Sequence, residues 1–412
     1  MSSSQAYAFP KTPSENPEGS VIARLSSAGQ TIKMDGAARI LCYNENQKGG
    51  AEMDWILLNK DVPLLEFSTQ ADEFGDVTAQ EKAWLSPLRP IGYMSLQDFL
   101  EGRRAPKHRK HIEQLLAQYG CHTLDGFLQV SHALSLNDTF WVKQAGSPLC
   151  WQDVSLYQND FDEIISEAAL NGSFGEPSLS STSPEFATDG YYAKCWKRER
   201  DDIYLYKAGS ATYELEPLSE YLAAQISSLL CPGAVSYDMR FHHGRLVSTC
   251  PLFTSESMGL AKMSAIARGE HSVAGLLSYF RSIGSEDAFR RMMVLDAVIL
   301  NTDRHLGNFG VLFDTDTLQI QAMSPVFDNN RSLLFDLDSD QLDQAERYAA
   351  HLAPRLGSDF IVVAKALMTD DIRSDLKNLC GFAFREHPQI PVEDQRLEKL
   401  SRVVNGQIQK LL

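Results

Sequence analysis

Two polar side chains of the kind used in phosphoryl transfer, Asp303 and Asn308, are separated by four residues in a polar segment. A carboxylate there can orient an attacking hydroxyl group, and an amide oxygen beside it can hold a magnesium ion. A second carboxylate, Asp328, follows a predicted strand pair that residues 314–317 would turn, which returns Asp328 to the same place. Together these residues predict a magnesium-dependent phosphotransfer centre.

The elements on either side of this polar segment would hold it rigidly. An apolar helix is predicted from about Phe289 to Leu300 and a strand from Phe309 to Phe313, so the polar loop lies at the end of a rigid helix. The spacing of Asp303 and Asn308 alone arises by chance in a chain of this length. The flanking elements, and the apolar-Phe-Asp segment that ends at Asp328, are what make the pattern specific.

Two other residues of the loop, Arg304 and His305, could also take part in the chemistry. Arg304 could contact phosphate, and His305 could act as a base or orient the loop. For both, a structural hydrogen-bonding role is favoured, because buried His and Arg commonly satisfy backbone carbonyl groups.

An upstream lysine and glutamate complete the set. Lys207 lies on the same face of a predicted strand, residues 203–208, as its apolar neighbours, which is unusual for lysine. Glu220 lies in the following helix among small residues that allow a close approach to the sheet, so it can pair with Lys207. Taken singly, Lys207 would reach solvent and Glu220 would be a surface residue. Beside the polar loop, the paired arrangement is the better interpretation.

The order of elements predicts an α+β fold. A hairpin pattern, a helix and two further strands (235–241 and 246–250) precede a region from Met258 onward in which helical patterns dominate. This order favours a kinase-like two-lobed fold with a small β-rich lobe, a larger α-helical lobe and an extra N-terminal region. We expect a disordered tail (1–19), a mixed α/β region (20–150), the β-rich lobe (151–254) and the helical lobe (255–412).

Composition narrows the class of protein. The 412 residues carry a net charge of −16, which disfavours direct nucleic-acid binding. The basic run 103–111 is the local exception, and we interpret it as the solvated first turns of a surface helix. Seven cysteines without a C-x-x-C pair argue against a disulfide framework or a zinc site. No apolar run is long enough for a bilayer and no signal peptide is evident, so we expect a cytoplasmic protein without membrane contact.

Two of these motifs resemble a known family, the HipA-like serine/threonine kinases. The run 301–310 with residues 325–328 is similar to that family, and so is Tyr204–Lys207 followed by 216–220. Residues 134–141 and 188–196 are similar to one of its subgroups. The resemblance covers residues 130–340 well and the rest of the chain loosely.

The resemblance implies roles for individual residues. Asp303 would be the catalytic aspartate, with Lys207 contacting the ATP phosphates and Glu220 supporting Lys207. Asn308 and Asp328 would bind Mg²⁺. The segment that meets adenine would fall near residues 251–254, which include Pro251, Leu252 and Phe253.

The resemblance also implies a function. The chain would be an ATP- and Mg²⁺-dependent protein kinase acting on Ser or Thr of a protein substrate. Many members of the family are the toxin of a toxin–antitoxin pair, which implies an antitoxin-type DNA-binding partner. In the family, phosphorylation of a serine in the phosphate loop can eject that loop. The candidates here are Ser178, Ser180, Ser181, Thr182 and Ser183.

Departures from the family pattern keep two other functions open. Asn329 and Asn330 stand where kinases often have a glycine after the metal aspartate, and residues 172–190 contain no G-x-G-x-x-G motif. The pattern Asp-Arg-His-x-x-Asn is shared with phosphatidylinositol kinases, so the acceptor could be a lipid headgroup. The acidic segment 335–344 argues against an anionic membrane. A non-catalytic pseudokinase is the third possibility, although no metal or lysine position is lost.

Overall fold

The computed structural model describes residues 52–106, 109, 111–175, 183–210, 215–267, 269 and 272–412. The predicted tail and the start of the predicted N-terminal region lie outside these residues. So do four of the candidate phosphorylation sites (Ser178, Ser180, Ser181 and Thr182). The described residues all lie within one compact unit. The division of the chain into four parts stays a prediction.

The described strands form three antiparallel sheets. The first consists of β1 (Met53–Asn59), β2 (Val62–Ala71), β3 (Val77–Trp84) and β4 (Phe140–Gln144), in the order β3-β2-β1-β4. The second consists of β5 (Lys194–Glu199), β6 (Asp202–Ala208), β7 (Asp238–His242) and β8 (Arg245–Pro251), in the order β5-β6-β8-β7. The third consists of β9 (Met258–Lys262), β10 (Gly310–Asp314) and β11 (Ile320–Met323), in the order β11-β10-β9.

The second sheet carries the predicted β-rich lobe. The hairpin β5–β6 and the strands β7 and β8 lie where the sequence pattern predicts them, within a few residues. His243 and Gly244 turn β7 into β8 with φ of 47° and 77°. Two successive positive φ values match the right-handed twist of the flanking strands in a two-residue hairpin turn.

The third sheet contains one strand that the sequence did not predict, at the start of the region from Met258 onward in which helical patterns dominate. Residues 258–262 form β9, which pairs along its whole length with β10. Five residues are too few for a hydrophobic period to separate strand from helix. Since β10 continues directly from the polar loop, this sheet ties that loop to the end of the second sheet.

The described helices are α1 (Leu96–Glu101), α2 (Ile112–Gln118), α3 (Leu124–Ser131), α4 (Trp151–Val154), α5 (Glu163–Asn171), α6 (Glu216–Leu230), α7 (Met263–Ile266), α8 (Val273–Ser282), α9 (Glu286–Ile299), α10 (Ala345–Ala349), α11 (Phe360–Leu367), α12 (Asp370–Asn378) and α13 (Asp394–Leu411). The structure confirms the α+β class, with a small β-rich part followed by a mainly helical part. None of the helices in the described residues is long and apolar enough to cross a bilayer.

Helix α9 is the centre of the helical part. Every side chain from Met292 to Ile299 is buried. The helix packs against α6, α8, α11 and α13. Leu300 ends it in the left-handed conformation with φ of 54°. The part of α9 from Met292 onward is buried on all sides and is a rigid support, so the polar loop that follows begins from a fixed point.

Two described arginines of the basic run, Arg103 and Arg109, are buried and do not lie in the solvated surface turn that the sequence favours. Arg103 is 8% exposed and donates two hydrogen bonds to the carboxylate of Asp138, at 2.8 and 2.9 Å. Arg109 is 1% exposed and donates to the carbonyl oxygens of Thr188 and Glu185. Residues 107, 108 and 110 lie outside the description. These two arginines are therefore structural, and Arg109 supports the segment near residue 188.

Candidate active site

A cavity of about 610 Å³ brings the predicted site residues together. Its volume lies in the range of small-molecule sites. The predicted residues that line it are Lys207, Pro251, Leu252, Phe253, Asp303, Asn308 and Asp328. Glu220 lies behind Lys207, fully buried. Residues more than a hundred positions apart in the chain thus open into one space.

The polar loop after α9 presents Asp303 and Asn308 to this cavity. The side-chain oxygen of Asn301 accepts a hydrogen bond from the backbone N–H of Asp303 at 3.0 Å. The side-chain amide of Asn308 donates through Nδ2 to the carbonyl oxygen of Asp303 at 3.0 Å. Because the amide nitrogen of Asn308 is used in this way, its Oδ1 is the atom available to a metal ion.

Arg304 connects the polar loop to the segment around Asp328. It is 1% exposed and paired with Asp296 of α9, with Nη2 at 3.0 Å from Oδ1. Its Nη1 donates to the carbonyl oxygens of Asn308 at 2.9 Å and Phe327 at 2.7 Å. Its Nη2 also donates to Oδ1 of Asn329. The structural role that the sequence favours for Arg304 therefore agrees with its contacts.

His305 also has a structural contact. Its Nδ1 accepts a hydrogen bond from the backbone N–H of Gly307 at 3.0 Å. Burial lowers the pKa of the imidazole, which favours the neutral ring that such an acceptor requires. The ring lines the cavity beside Asp303, so it shapes the wall while it stiffens the turn.

Lys207 joins the two halves of the site. It is 5% exposed, and its ammonium group is bound directly by Asp328. Glu220 lies on its other side, with Oε2 at 3.5 Å from Nζ, and Ser248 donates to the same carboxylate at 3.0 Å. The structure therefore brings together Lys207 and Glu220, as the sequence predicts, and shows that Asp328 also contacts Lys207.

The backbone at Asp328 differs from what the missing glycine suggests. The positive φ, 57°, is at Asp328 itself and not at Asn329 or Asn330. Aspartate tolerates the left-handed region better than most residues. The hydroxyl of Tyr237 accepts from the backbone N–H of Asp328 at 3.0 Å and fixes this conformation. A glycine after the aspartate is not required in this chain.

The charge state of Asp328 suits a metal ligand. Burial alone would raise the pKa of Asp328, but the nearby ammonium groups of Lys207 and Lys194 outweigh burial and hold it at about 2. The carboxylate is therefore ionised at neutral pH. With the amide oxygen of Asn308 it forms an oxygen pair of the kind that Mg²⁺ prefers.

A second lysine, Lys194, was missed by the sequence interpretation. It lies on β5 directly opposite Lys207, is 6% exposed and lines the cavity. Among the described residues, no carboxylate lies within ion-pair distance of its ammonium group. Burial, with a smaller effect of Lys207, lowers the pKa of Lys194 to about 7. A buried, uncompensated cation is costly unless an anion joins it.

The loop before β5 covers the cavity near Lys194. Asp189, Gly190, Tyr191 and Tyr192 line the cavity, and Lys262 forms an ion pair with Asp189 at 2.7 Å. Residues 189 and 190, at the end of the segment 172–190, therefore lie beside the cavity, and the assignment of that segment as a phosphate loop stays a prediction. Ser183, the one candidate phosphorylation site that the structure describes, is 3% exposed, so its hydroxyl is not presented to solvent.

The predicted adenine-binding segment follows the end of β8. The backbone N–H of Leu252 is bound to the carbonyl oxygen of Ile203 at 2.8 Å, which continues the sheet by one residue. Phe253 contacts Phe327 with ring centroids 5.4 Å apart. An aromatic pair between this segment and the residue before Asp328 gives the far end of the cavity an apolar wall.

No family model and no curated protein matches the chain. Among solved structures, it is similar to a proinflammatory kinase of Helicobacter pylori, CtkA, with 16% identity, 54% of this chain and 90% of that chain covered, and a TM-score of 0.42. It is also similar to HipA of Shewanella oneidensis MR-1, solved with HipB and operator DNA, with 11% identity, 87% and 96% covered, and a TM-score of 0.48. At these identities and TM-scores, the likenesses assign no activity to the chain.

Proposed function

We propose that this protein is an ATP- and Mg²⁺-dependent phosphotransferase that phosphorylates Ser or Thr of a protein substrate. The observation that carries the proposal is the convergence of Asp303, Asn308, Asp328 and Lys207 on one cavity. Phosphoryl transfer needs one carboxylate at the acceptor, oxygen ligands for a metal and a cation at the phosphates. The cavity supplies all three kinds of group.

Each residue has a part in the reaction. Asn308 Oδ1 and the Asp328 carboxylate would hold Mg²⁺, which neutralises charge on the phosphates when it is bound. The residues fit such an ion, because Asp328 is ionised and the nitrogen of the Asn308 amide is already bonded to Asp303. Lys207 and Lys194 would bind the phosphate oxygens. Asp303 would orient the acceptor hydroxyl and take its proton.

Glu220 acts through Lys207. It is fully buried, and its Oε2 lies 3.5 Å from the ammonium group of Lys207. When phosphates draw Lys207 away from Asp328, Glu220 keeps a carboxylate beside the ammonium, so the lysine remains charged and positioned. Glu220 is therefore a positioning residue in this proposal.

Two alternatives predicted from the sequence are less well supported. A lipid kinase would have to bring the acidic segment 336–343 near an anionic membrane, which like charges oppose. A pseudokinase would keep the fold without the chemistry, yet each carboxylate, amide and lysine of the proposed centre lines the cavity or supports a residue that does. A cytoplasmic location and an antitoxin-type DNA-binding partner belong to the same proposal.

Incubation of the purified chain with Mg²⁺ and γ-labelled ATP tests the proposal. Label should appear on a protein or peptide hydroxyl, and chelation of the metal should abolish the transfer. Label on phosphoinositide vesicles alone would favour the lipid-kinase alternative. ATP binding without any transfer would favour the pseudokinase.

A further inference from the structure

Two arginine side chains hold the carboxylate of Asp303 at the mouth of the cavity. Arg355 Nη1 lies 3.2 Å from Oδ1 of Asp303, and Arg331 Nη1 lies 3.7 Å from Oδ2. Each guanidinium group carries five N–H donors, and these contacts use one nitrogen of each. The side chains are 58% and 43% exposed, so donors other than the buried Nε of Arg331 can reach solvent or an incoming molecule.

The two arginines are supported differently. The carbonyl oxygen of Arg331 accepts from the backbone N–H and the hydroxyl of Thr302, both at 3.1 Å, which fixes Arg331 to the residue before Asp303. Its guanidinium lies over the ring of Phe335, 5.3 Å from the centroid. Its Nε is buried and has no hydrogen-bond partner among the described residues. Arg355 extends from the segment between α10 and α11, 52 residues away from Asp303 in the chain.

Apart from Arg331, the described lysines that line the cavity are either paired with carboxylates or deeply buried. Lys207 is paired with two carboxylates, and Lys262 is paired with Asp189. Lys194 is 6% exposed, in the interior. The arginine pair is therefore the positive charge that an acceptor meets as it approaches Asp303, on a chain whose net charge is −16.

We propose that Arg331 and Arg355 form a subsite for an anionic group beside the acceptor hydroxyl, so that the preferred substrate is a Ser or Thr flanked by Asp, Glu or a phosphorylated residue. The inference rests on the proposed function and adds the class of acceptor. Arginine is suited to this role because its planar fork binds carboxylate and phosphate oxygens in two-point contacts.

The geometry connects this subsite to the reaction. The acceptor oxygen forms a bond to the γ-phosphorus of ATP, the bond from that phosphorus to the β–γ bridging oxygen breaks, the hydroxyl proton moves to Asp303, and ADP leaves. For this transfer the hydroxyl must lie within hydrogen-bond distance of Asp303. The substrate side chains next to the acceptor residue then lie beside Arg331 and Arg355, whose unused N–H groups can bind an anion there.

A peptide fits this subsite better than a membrane does. The segment that follows Arg331 carries Asp336, Asp338, Asp340 and Asp343. A flat anionic bilayer at Arg331 would lie against these carboxylates as well. A short peptide can place one negative group on the arginines and leave the acidic segment in solvent.

A peptide panel tests the inference. Three peptides have the same length and the same sequence except at the positions that flank a single serine, which are Glu, Gln or Lys. A fourth peptide carries a phosphoserine beside the acceptor serine. The measured quantity is the kcat/KM of phosphate transfer from Mg-ATP to each peptide. The wild-type chain should prefer the Glu and phosphoserine peptides over the Gln peptide by about fivefold or more, the range for one or two partly exposed ion pairs.

Substitutions assign the preference to the arginines. Arg355→Gln should bring the Glu-to-Gln ratio of kcat/KM close to one, and Arg355→Lys should restore part of it. Arg347→Gln is the matched control, because Arg347 is an exposed arginine on nearby α10, outside the cavity lining. It should leave the ratio and the activity unchanged.

The outcomes separate this inference from the proposed function. A wild-type chain that transfers phosphate equally to the Gln and Glu peptides, or prefers the Lys peptide, overturns the acceptor inference alone. A ratio that survives Arg355→Gln and Arg331→Gln overturns it too. Transfer to phosphoinositide vesicles but to no peptide overturns both this inference and the protein-kinase proposal. Failure to bind Mg-ATP in calorimetry instead overturns the proposed function.

Discussion

Lys194 and Lys207 are direct partners across the β5–β6 hairpin, so both side chains lie on the same face of the sheet and enter the same cavity. Lys207 is neutralised by Asp328 and Glu220. Lys194 is buried without such a partner among the described residues. Both nearby carboxylates are engaged by Lys207, so the ammonium group of Lys194 has no ion-pair partner of its own there, and an anionic ligand such as a triphosphate would supply one.

The unpaired ammonium group of Lys194 predicts that ATP affinity falls as the pH rises above 7. The pKa of Lys194 is lowered to about 7, and a bound triphosphate would raise it. Below pH 7 the ammonium is charged with and without nucleotide, so the affinity is at its full value. Above pH 7 the free protein loses this proton and binding must restore it, so affinity should fall by up to about tenfold per pH unit. Calorimetry of Mg-ATP binding at pH 6.5, 7.5 and 8.5 measures the slope.

The groups that face Lys194 sharpen this test. They are Lys207, Asp328, Arg109 and Asp189. None of them changes charge between pH 7 and 9, so none of them would produce the same dependence of ATP affinity on pH. Lys194→Met should lower the affinity at pH 6.5 and remove most of the slope above pH 7. An equal slope in the variant would show that another group takes up the proton.

Gly190→Ala should weaken ATP binding by displacing Lys194. A Cβ at residue 190 would overlap Nζ of Lys194, and the glycine has a φ of 99°, which an alanine rarely adopts. Gly75→Ala is the matched control, because Gly75 has a φ of 87° but open space around its Cβ position. Both variants should lose about 1 kcal/mol of stability. Only Gly190→Ala should lower the affinity for Mg-ATP, as measured by calorimetry.

The sequence was informative where side-chain type and local periodicity coincide. Asp303, Asn308 and Asp328 follow an apolar helix and a strand pair, and Lys207 interrupts an apolar strand face. Lys194 was missed, although a signal was present: a turn at 200–201 puts residue 194 opposite residue 207. The contact of Arg355 with Asp303 and the hydrogen bond from Arg304 to Phe327 leave no local pattern in the sequence. These contacts join residues that only the tertiary fold brings together.

Asp303→Asn should abolish phosphate transfer and leave nucleotide binding nearly intact. The amide keeps the size of the side chain but does not take the acceptor proton, so the loss falls on kcat. Transfer from labelled ATP and calorimetry of Mg-ATP should be measured on the same preparation. Asp371→Asn, an exposed aspartate on α12, serves as the control. Wild-type turnover in Asp303→Asn would show that another group orients the acceptor.

Arg304→Gln should destabilise the fold and disorganise the site together. The substitution leaves Asp296 buried without its cation and removes hydrogen bonds to Asn308 and Phe327. Breaking a buried ion pair in this way costs about 3–5 kcal/mol. Arg402→Gln, which breaks an exposed pair with Glu398 on α13, should cost less than about 1 kcal/mol. Denaturant unfolding of both variants measures the difference in the free energy of unfolding. Equal small losses would show that the contacts of Arg304 do not stabilise the fold in this way.

The magnesium dependence of ATP binding tests the central claim most directly. Calorimetry should compare ATP binding with and without Mg²⁺ for the wild-type chain and for Asp328→Ala. The substitution removes one of the two proposed metal ligands and also releases Lys207 from its ion pair, so ATP without metal should still bind. We predict that Mg²⁺ strengthens ATP binding in the wild type and has no such effect in Asp328→Ala. An equal gain from Mg²⁺ in both proteins would contradict the assignment of this cavity as a phosphotransfer centre.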